Sequence, residues 1–209
     1  NGRSHVRFAA AVDPAAYQPH PTVFERAGRA GVAVTVVGQR RFRKSGLTAA
    51  GLRSPGFSAA DSLGERVAAA AFAAEAEPSL VYVYDGDLDV TGHHAGCKSA
   101  AWRHQLVMVD RFVEELAEAL PAGTTLVVTA DHGMVDVDPA ARVDVDDLPA
   151  LREGVALVGG EARFRHVYAE PGAAADVRAA WQTVLGGRAT VLSRDEAIAA
   201  DWFGAVERR

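Results

Sequence analysis

Residues 79–94 read SLVYVYDGDLDVTGHH, an apolar run followed closely by an acid–histidine cluster. The run 79–84 contains β-branched and aromatic residues, which predicts a buried strand. Asp89 and His93 lie four residues apart, about one helical turn, so both side chains can converge on one ion. Because zinc and similar divalent metals accept carboxylate and imidazole ligands, the stretch predicts half of a metal site at the exit of a strand.

A second strand and cluster follow at residues 124–134, which read TTLVVTADHGM. Residues 124–129 predict a strand, and Asp131 and His132 come just after it. Adjacent side chains on a regular strand point to opposite faces, but Gly133 lets the backbone turn so that both can face one ion. Ligands of open α/β sheets bind beyond the carboxyl ends of the strands, so we expect the two half-sites to meet at one edge. Either cluster alone is also typical of a polar turn, whereas two on successive strands favour a metal site.

Helices alternate with short apolar strands along the remainder of the chain. The cleanest helical pattern runs from the N-cap Ser99 to Pro121, with apolar residues spaced by three and four along one face. Other predicted helices cover about 22–30, 62–76, 173–185 and a short stretch after 193, and other predicted strands cover 32–37, 155–158, 166–169 and 190–192. Residues 38–60 are rich in Gly, Ser, Arg and Pro and predict a loop. This order predicts an α/β fold with a mostly parallel sheet and helices on both faces.

The composition of the 209-residue chain bounds its function. A net charge of −5 leaves no basic surplus for bulk DNA or RNA, although a small phosphate ester is compatible with a metal that supplies positive charge. The single cysteine, Cys97, excludes an intrachain disulfide and a cysteine-rich zinc site. No apolar stretch approaches the ~20 residues of a membrane span and no signal peptide is visible, which favours a soluble, cytoplasmic protein without membrane contact. The chain opens at Asn1 without an initiator Met, so we expect residues 1–209 to be a single α/β segment of a larger catalytic domain.

Neighbouring residues allow other interpretations of the first cluster. Asp85, Asp87 and Asp89 resemble the start of a calcium loop, but Val90 stands at the sixth position, where an EF-hand needs glycine. His94 follows a candidate ligand directly and could support the metal ligands or contact a substrate.

Residues 89–99, DVTGHHAGCKS, and 129–134, TADHGM, resemble the nucleotide pyrophosphatase/phosphodiesterase family of the alkaline phosphatase superfamily. The resemblance is strongest over residues 79–137. It implies an alkaline-phosphatase-like α/β fold, and it implies hydrolysis of phosphodiester or nucleotide pyrophosphate bonds in a small phosphate-ester substrate.

The same resemblance implies two divalent metal ions, usually zinc, beside a threonine or serine nucleophile. Asp89 and His93 would bind one ion. Asp131 and His132 would bind the other. Such ions lie about 3.5–4 Å apart and hold the attacking and leaving oxygens of an in-line displacement, through a covalent phosphoenzyme that is then hydrolysed. The same metals also serve phosphomonoesterases, phosphonate hydrolases and sulfatases. A binding module that keeps the fold without catalysis, or a plain α/β interaction domain, remains an alternative.

The chain departs from the family pattern in several respects. The family's first metal-binding Asp and its nucleophile come from an early strand and the next helix start, and neither is found here. A third histidine for the Asp89 ion comes late in the family, and His166, in the basic cluster 163–166, is the sole downstream histidine. That cluster is compatible with a phosphate contact or with a salt-bridged surface. The family's usual Pro after His-x-x-Gly is Cys97 here. Since two ligands per ion are too few for tight binding, we expect this segment alone to bind metal weakly and to be inactive.

Overall fold

The computed structural model describes residues 12–53 and 56–206. The chain divides into two compact units, Asn1–Asp136 and Val137–Arg209. Within the described residues, no helix is both long enough and apolar enough to span a lipid bilayer.

The first unit contains a three-stranded sheet and the helices that cover it. Its strands are β1 (Ala33–Gly38), β2 (Gly56–Ala59) and β3 (Ser79–Val83). Its helices are α1 (Pro14–Tyr17), α2 (Val23–Arg29), α3 (Gly46–Gly51), α4 (Leu63–Ala74), α5 (Asp87–Ala95) and α6 (Ala100–Ala119), with a 3-10 turn at Arg40–Phe42.

The sheet is parallel throughout and has the strand order β2-β1-β3. Val37 of β1 is level with Val83 of β3, and Gly38 is level with Ala59 of β2. The carboxyl ends of the three strands therefore meet at one edge, and this edge is where ligands bind in open α/β sheets.

Helices cover both faces of this sheet, as the sequence predicts. On one face, Val81 and Val83 pack against Ala70 of α4 and against Phe112 and Leu116 of α6. Burial of a large side chain such as Phe112 or Leu116 contributes about 1.5–3 kcal/mol. Successive residues of a strand point to opposite faces, so Tyr82 faces the other way. The Tyr82 ring lies 5.7 Å, centroid to centroid, from the ring of Phe24 on α2.

Helix starts that the sequence predicts are present in the structure. Thr22 and Glu25 form a reciprocal capping box at α2, and Ser62 and Glu65 form another at α4. The Ser99 hydroxyl caps α6 by accepting from the N–H of Trp102. Such caps satisfy backbone N–H groups that a helix start leaves without partners.

Two predictions about the first unit are wrong. Residues 124–129 belong to no helix or strand, and Val127 is 76% exposed. An apolar alternating run forms a strand only when another strand pairs with it, and within residues 12–53 and 56–206 none does. The predicted loop 38–60 contains α3 and β2. The four residues of β2 show little hydrophobic pattern of their own. Gly56 allows β2 to approach β1 closely, because a Cβ at this position would lie 3.0 Å from the Val34 carbonyl oxygen.

The second unit is built on an antiparallel hairpin and one long helix. Its elements are β4 (Val155–Glu161), β5 (Phe164–Ala169), α7 (Ala174–Leu185) and α8 (Arg194–Ala199), with 3-10 turns at Pro139–Ala141, Pro149–Leu151 and Gly186–Arg188. Leu151, Val177, Trp181 and Leu185 form its core. Trp181 donates its indole N–H to the Leu151 carbonyl at 3.1 Å, which satisfies the buried polar atom. The predicted strand at 190–192 is absent from this described part of the chain. The two strands near 155–158 and 166–169 and both helices are confirmed, and the two strands pair with each other in antiparallel fashion.

Candidate metal centre

Helix α5 carries Asp89 and His93, and its start is fixed by Asp85. The Asp85 carboxylate accepts a hydrogen bond from the N–H of Asp87, the first residue of α5, at 3.2 Å, while Gly86 occupies the N-cap position. The other carboxylate oxygen of Asp85 lies 2.5 Å from Nη1 of Arg66. The acidic residues 85–89 thus contact the helix start and Arg66 as well as contributing to the candidate site.

Arg66 holds Asp85 from inside the sheet–helix layer. Arg66 is only 1% exposed, and it lies on the alanine-rich helix α4. The guanidinium also donates to the carbonyl of Asp61 at 2.9 Å and to that of Ala60 at 3.3 Å. All of these partners lie at or just beyond the carboxyl ends of β2 and β3. The buried guanidinium therefore joins the strand ends to the start of α5.

The first candidate pair is preformed on α5. Nε2 of His93 lies 3.3 Å from Oδ1 of Asp89. That Oδ1 is buried and makes no hydrogen bond within the described residues. A tetrahedral zinc ion bonds such donors at about 2.0–2.1 Å, which places two donors roughly 3.3 Å from each other. The donor spacing of the pair therefore suits one ion, and it is also the spacing of a histidine–carboxylate ion pair.

The second candidate pair is more open. Nε2 of His132 lies 3.7 Å from Oδ2 of Asp131, and the Asp131 side chain is 85% exposed. Nδ1 of His132 lies 3.0 Å from the carbonyl oxygen of Gly133. When Nδ1 donates its proton to that carbonyl, Nε2 is left with a free lone pair, which is the usual arrangement in metal-binding histidines.

The segment that carries the second pair is fastened to the helix that carries the first. The side chain of Met134 packs against Gly92, where a Cβ would lie 2.5 Å from the Met134 sulfur. The Asp136 carboxylate accepts from the N–H groups of Cys97 at 2.6 Å and Lys98 at 3.2 Å, just after α5 ends. These contacts hold the Asp131-His132 turn beside α5.

The negative charges of both candidate pairs act on Tyr84. Burial raises the pKa of Tyr84, and the negative charges of Asp131 and Asp89 raise this pKa further. Burial and then the Asp131 charge also raise the pKa of Tyr82. Both candidate carboxylates thus act on one phenol at the carboxyl edge of the sheet.

The structure brings each pair together, but it forms no larger ligand cluster. Within residues 12–53 and 56–206, no three acidic, histidine or cysteine side chains gather to hold one ion. His166 lies in the second unit on β5, where its ring is 5.2 Å from that of Phe164. In the predicted basic cluster 163–166, Arg165 donates to the Gly160 carbonyl at 3.0 Å. The ligand roles of all five predicted residues stay predictions.

Comparison with known proteins connects this geometry to a family. The family model described as type I phosphodiesterase/nucleotide pyrophosphatase matches residues 2–209. The chain belongs to this family. Human ectonucleotide pyrophosphatase/phosphodiesterase family member 7 is 38% identical over 72 residues, which make up 32% of this chain and 16% of that protein. No solved structure matches the chain. The resemblance that the two acid–histidine clusters indicate is therefore confirmed.

In this phosphodiesterase-family chain, several supporting residues escape sequence analysis. Arg66 lies within a helix pattern that gives no sign of burial, and Asp136 lies in a run of acidic residues that suggests only a polar turn. Met134 follows Gly133 in the sequence, and nothing there indicates that its side chain packs against Gly92. A glycine in the middle of α5, where alanine is favoured, is the one signal that could have indicated a close contact.

Proposed function

We propose that this chain is the part of a metal-dependent hydrolase that supplies two pairs of metal ligands for cleavage of phosphodiester or nucleotide pyrophosphate bonds. The spacing of the Asp89–His93 pair and its buried oxygen without a hydrogen bond carry the proposal. Membership of the type I phosphodiesterase/nucleotide pyrophosphatase family supports the reaction class. The substrate is a small phosphate ester.

Asp89 and His93 would hold one divalent ion, and Asp131 and His132 would hold the other, with zinc the metal that suits these donors. Two such ions, when bound, stabilise negative charge on the attacking and leaving oxygens of a phosphoryl group. The chain's own residues prepare the site. The carbonyl of Gly133 orients His132, while Arg66 and Asp85 fix the helix that presents the first pair.

Each pair supplies two donors, whereas a catalytic zinc site takes about three protein ligands. We therefore infer that the remaining ligands and the nucleophile lie outside the described residues, and that residues 1–209 form a segment of a larger catalytic domain. The segment by itself is expected to be inactive. Turnover by the isolated segment that Asp131→Ala abolishes would refute this inference.

The proposal is tested on the full-length protein by zinc content and by hydrolysis of bis-(p-nitrophenyl) phosphate. Asp89→Asn and Asp131→Asn should each lower zinc content and reduce kcat/KM by more than about 100-fold, because loss of a ligand exceeds loss of an outer-shell partner. Asp110→Asn, at an exposed position on α6, is the matched control and should leave both quantities unchanged. Full zinc content and activity in Asp131→Asn would rule the assignment out. Parallel assays with p-nitrophenyl phosphate and p-nitrophenyl sulfate separate a diesterase from a monoesterase or a sulfatase.

A further inference from the structure

Two glycines of α5 and its C-cap receive the segment that follows the second acid–histidine pair. Gly92 and Gly96 lie four residues apart, about one helical turn, on either side of His93. A Cβ at Gly92 would lie 2.5 Å from the Met134 sulfur, and a Cβ at Gly96 would lie 2.8 Å from Oδ1 of Asp136. The absence of side chains at both glycines therefore lets residues 134–136 lie directly against the helix that carries the first pair.

The turn after α5 is shaped to hold the Asp136 carboxylate. Gly96 has a φ of +84°, which residues with a Cβ rarely adopt, and its carbonyl accepts from the N–H of Ser99 at 3.2 Å. The N–H groups of Cys97 and Lys98, inside this turn, donate to the carboxylate at 2.6 and 3.2 Å. Successive backbone N–H groups can form a concavity that binds anions, and the positive end of the long helix α6 begins just beyond. The turn therefore favours a negative charge at this point.

The two acid–histidine pairs differ in what fixes their position. Asp89 and His93 both lie on α5, so the folding of one helix brings them together. The second pair lies on an exposed turn, and the run 124–130 before it pairs with no strand within residues 12–53 and 56–206. The place of the second pair beside α5 therefore depends on the contacts that follow it, at residues 134–136.

We propose that Asp136 is a positioning residue for the second metal ion, because it holds Asp131 and His132 where that ion can take its remaining ligands. The inference rests on the proposed function and adds a residue to it. A catalytic zinc site takes about three protein ligands, and the second pair supplies two of them. The ion is bound tightly only when the pair lies at a fixed place relative to the other ligands. Asp136 is directed at backbone N–H groups and acts through the position of the pair.

The test measures the zinc affinity of the full-length protein by competition with a chelator. Asp136→Ala should bind the second ion about tenfold more weakly, at the low end of the range for residues that orient metal ligands, because its carboxylate is exposed. The affinity for the first ion should be unchanged, since its two ligands remain on α5. Asp136→Asn keeps an oxygen that can accept from the Cys97 N–H, so it should recover part of the loss.

Asp138→Ala is the matched control. Asp138 is an exposed carboxylate close to Asp136 in sequence, and its bond to the N–H of Ala140, at 2.9 Å, is local. This variant should bind both ions as the unaltered protein does.

Combined variants separate positioning of the second ion from a general structural role. In Asp131→Asn, which lacks the second site, the additional change Asp136→Ala should cause no further loss of zinc affinity. In Asp89→Asn, which lacks the first site, the same change should lower the remaining zinc affinity about tenfold. A structural role alone would weaken zinc binding in both backgrounds. Further loss in the first background, or unchanged affinity in the second, would overturn the proposal.

Hydrogen exchange on the metal-free protein tests the contact without zinc or activity. Asp136→Ala should speed the exchange of the Cys97 and Lys98 amides, whereas Asp138→Ala should not, and unchanged exchange in Asp136→Ala would overturn the inference. An unaltered protein that binds no zinc would reject the proposed function and this inference together. Binding of two ions that Asp136→Ala leaves unchanged would overturn this inference alone.

Discussion

Substitution of Asp85 by alanine should destabilise the first unit strongly, because it leaves the buried Arg66 guanidinium without its carboxylate. Arg66 is 1% exposed and, among residues 12–53 and 56–206, would retain its bonds to the carbonyls of Ala60 and Asp61 alone. Loss of a charge-assisted hydrogen bond costs about 1.5–3 kcal/mol. The guanidinium would also remain buried without a counter-charge, and removal of one partner of a buried ion pair costs roughly 3–5 kcal/mol in total.

The assay is thermal and urea denaturation of the full-length protein. A loss of 3–5 kcal/mol should lower the melting temperature by roughly 6–20 °C for a unit of this size. The double variant Arg66→Met/Asp85→Ala removes the unpaired charge as well, so it should recover a substantial part of that loss. A loss below about 1 kcal/mol in Asp85→Ala, or a double variant as unstable as the sum of the single variants, would refute this account of the buried pair.

Two further predictions concern Gly92 and the cap of α4. Gly92→Ala should displace Met134 and lower the zinc content of the full-length protein. The control is Gly28→Ala on α2, where a Cβ meets nothing within 4 Å, and this variant should only gain up to about 1 kcal/mol of helix stability. Equal zinc content and stability in the two variants would contradict the packing of Met134 against Gly92. Backbone N–H groups of Ser62 and Asp61 lower the pKa of Glu65 below 4.5, so its contribution to stability is present above that pH and is lost as pH falls through the lowered folded-state pKa. Glu65→Gln should therefore flatten the acid limb of the stability curve, as denaturation midpoints between pH 5 and about 2 would reveal, and an unchanged limb would count against the cap.

Local features of this chain could be predicted from sequence because they depend on residues close to each other. The box of Thr22 and Glu25 needs only three residues of helix to form. The spacing of Asp89 and His93 fixes their proximity as soon as α5 forms. The parallel sheet followed from the alternation of helices and strands, since parallel neighbours need crossover connections.

Features that depend on distant partners could not be predicted. Strand β2 exists because β1 pairs with it, and its four residues have too little pattern to be read alone. The burial of Arg66 requires Asp85, which lies 19 residues away along the chain. The run 124–129 has the composition of a strand, but its state depends on a pairing partner that no property of the run itself specifies.

The unpaired run 124–130 has a practical consequence for anyone who produces this polypeptide. Val127 and Val128 are exposed, and their backbone pairs with no strand in the part of the chain that the structure describes. Uncharged β-prone stretches of this kind associate with one another into aggregates. Purified alone, the polypeptide should precipitate as its concentration rises. The substitution Val127→Lys places a charge within this run and should keep the polypeptide in solution at concentrations where the unaltered chain precipitates. It should leave the neighbouring acid–histidine turn intact.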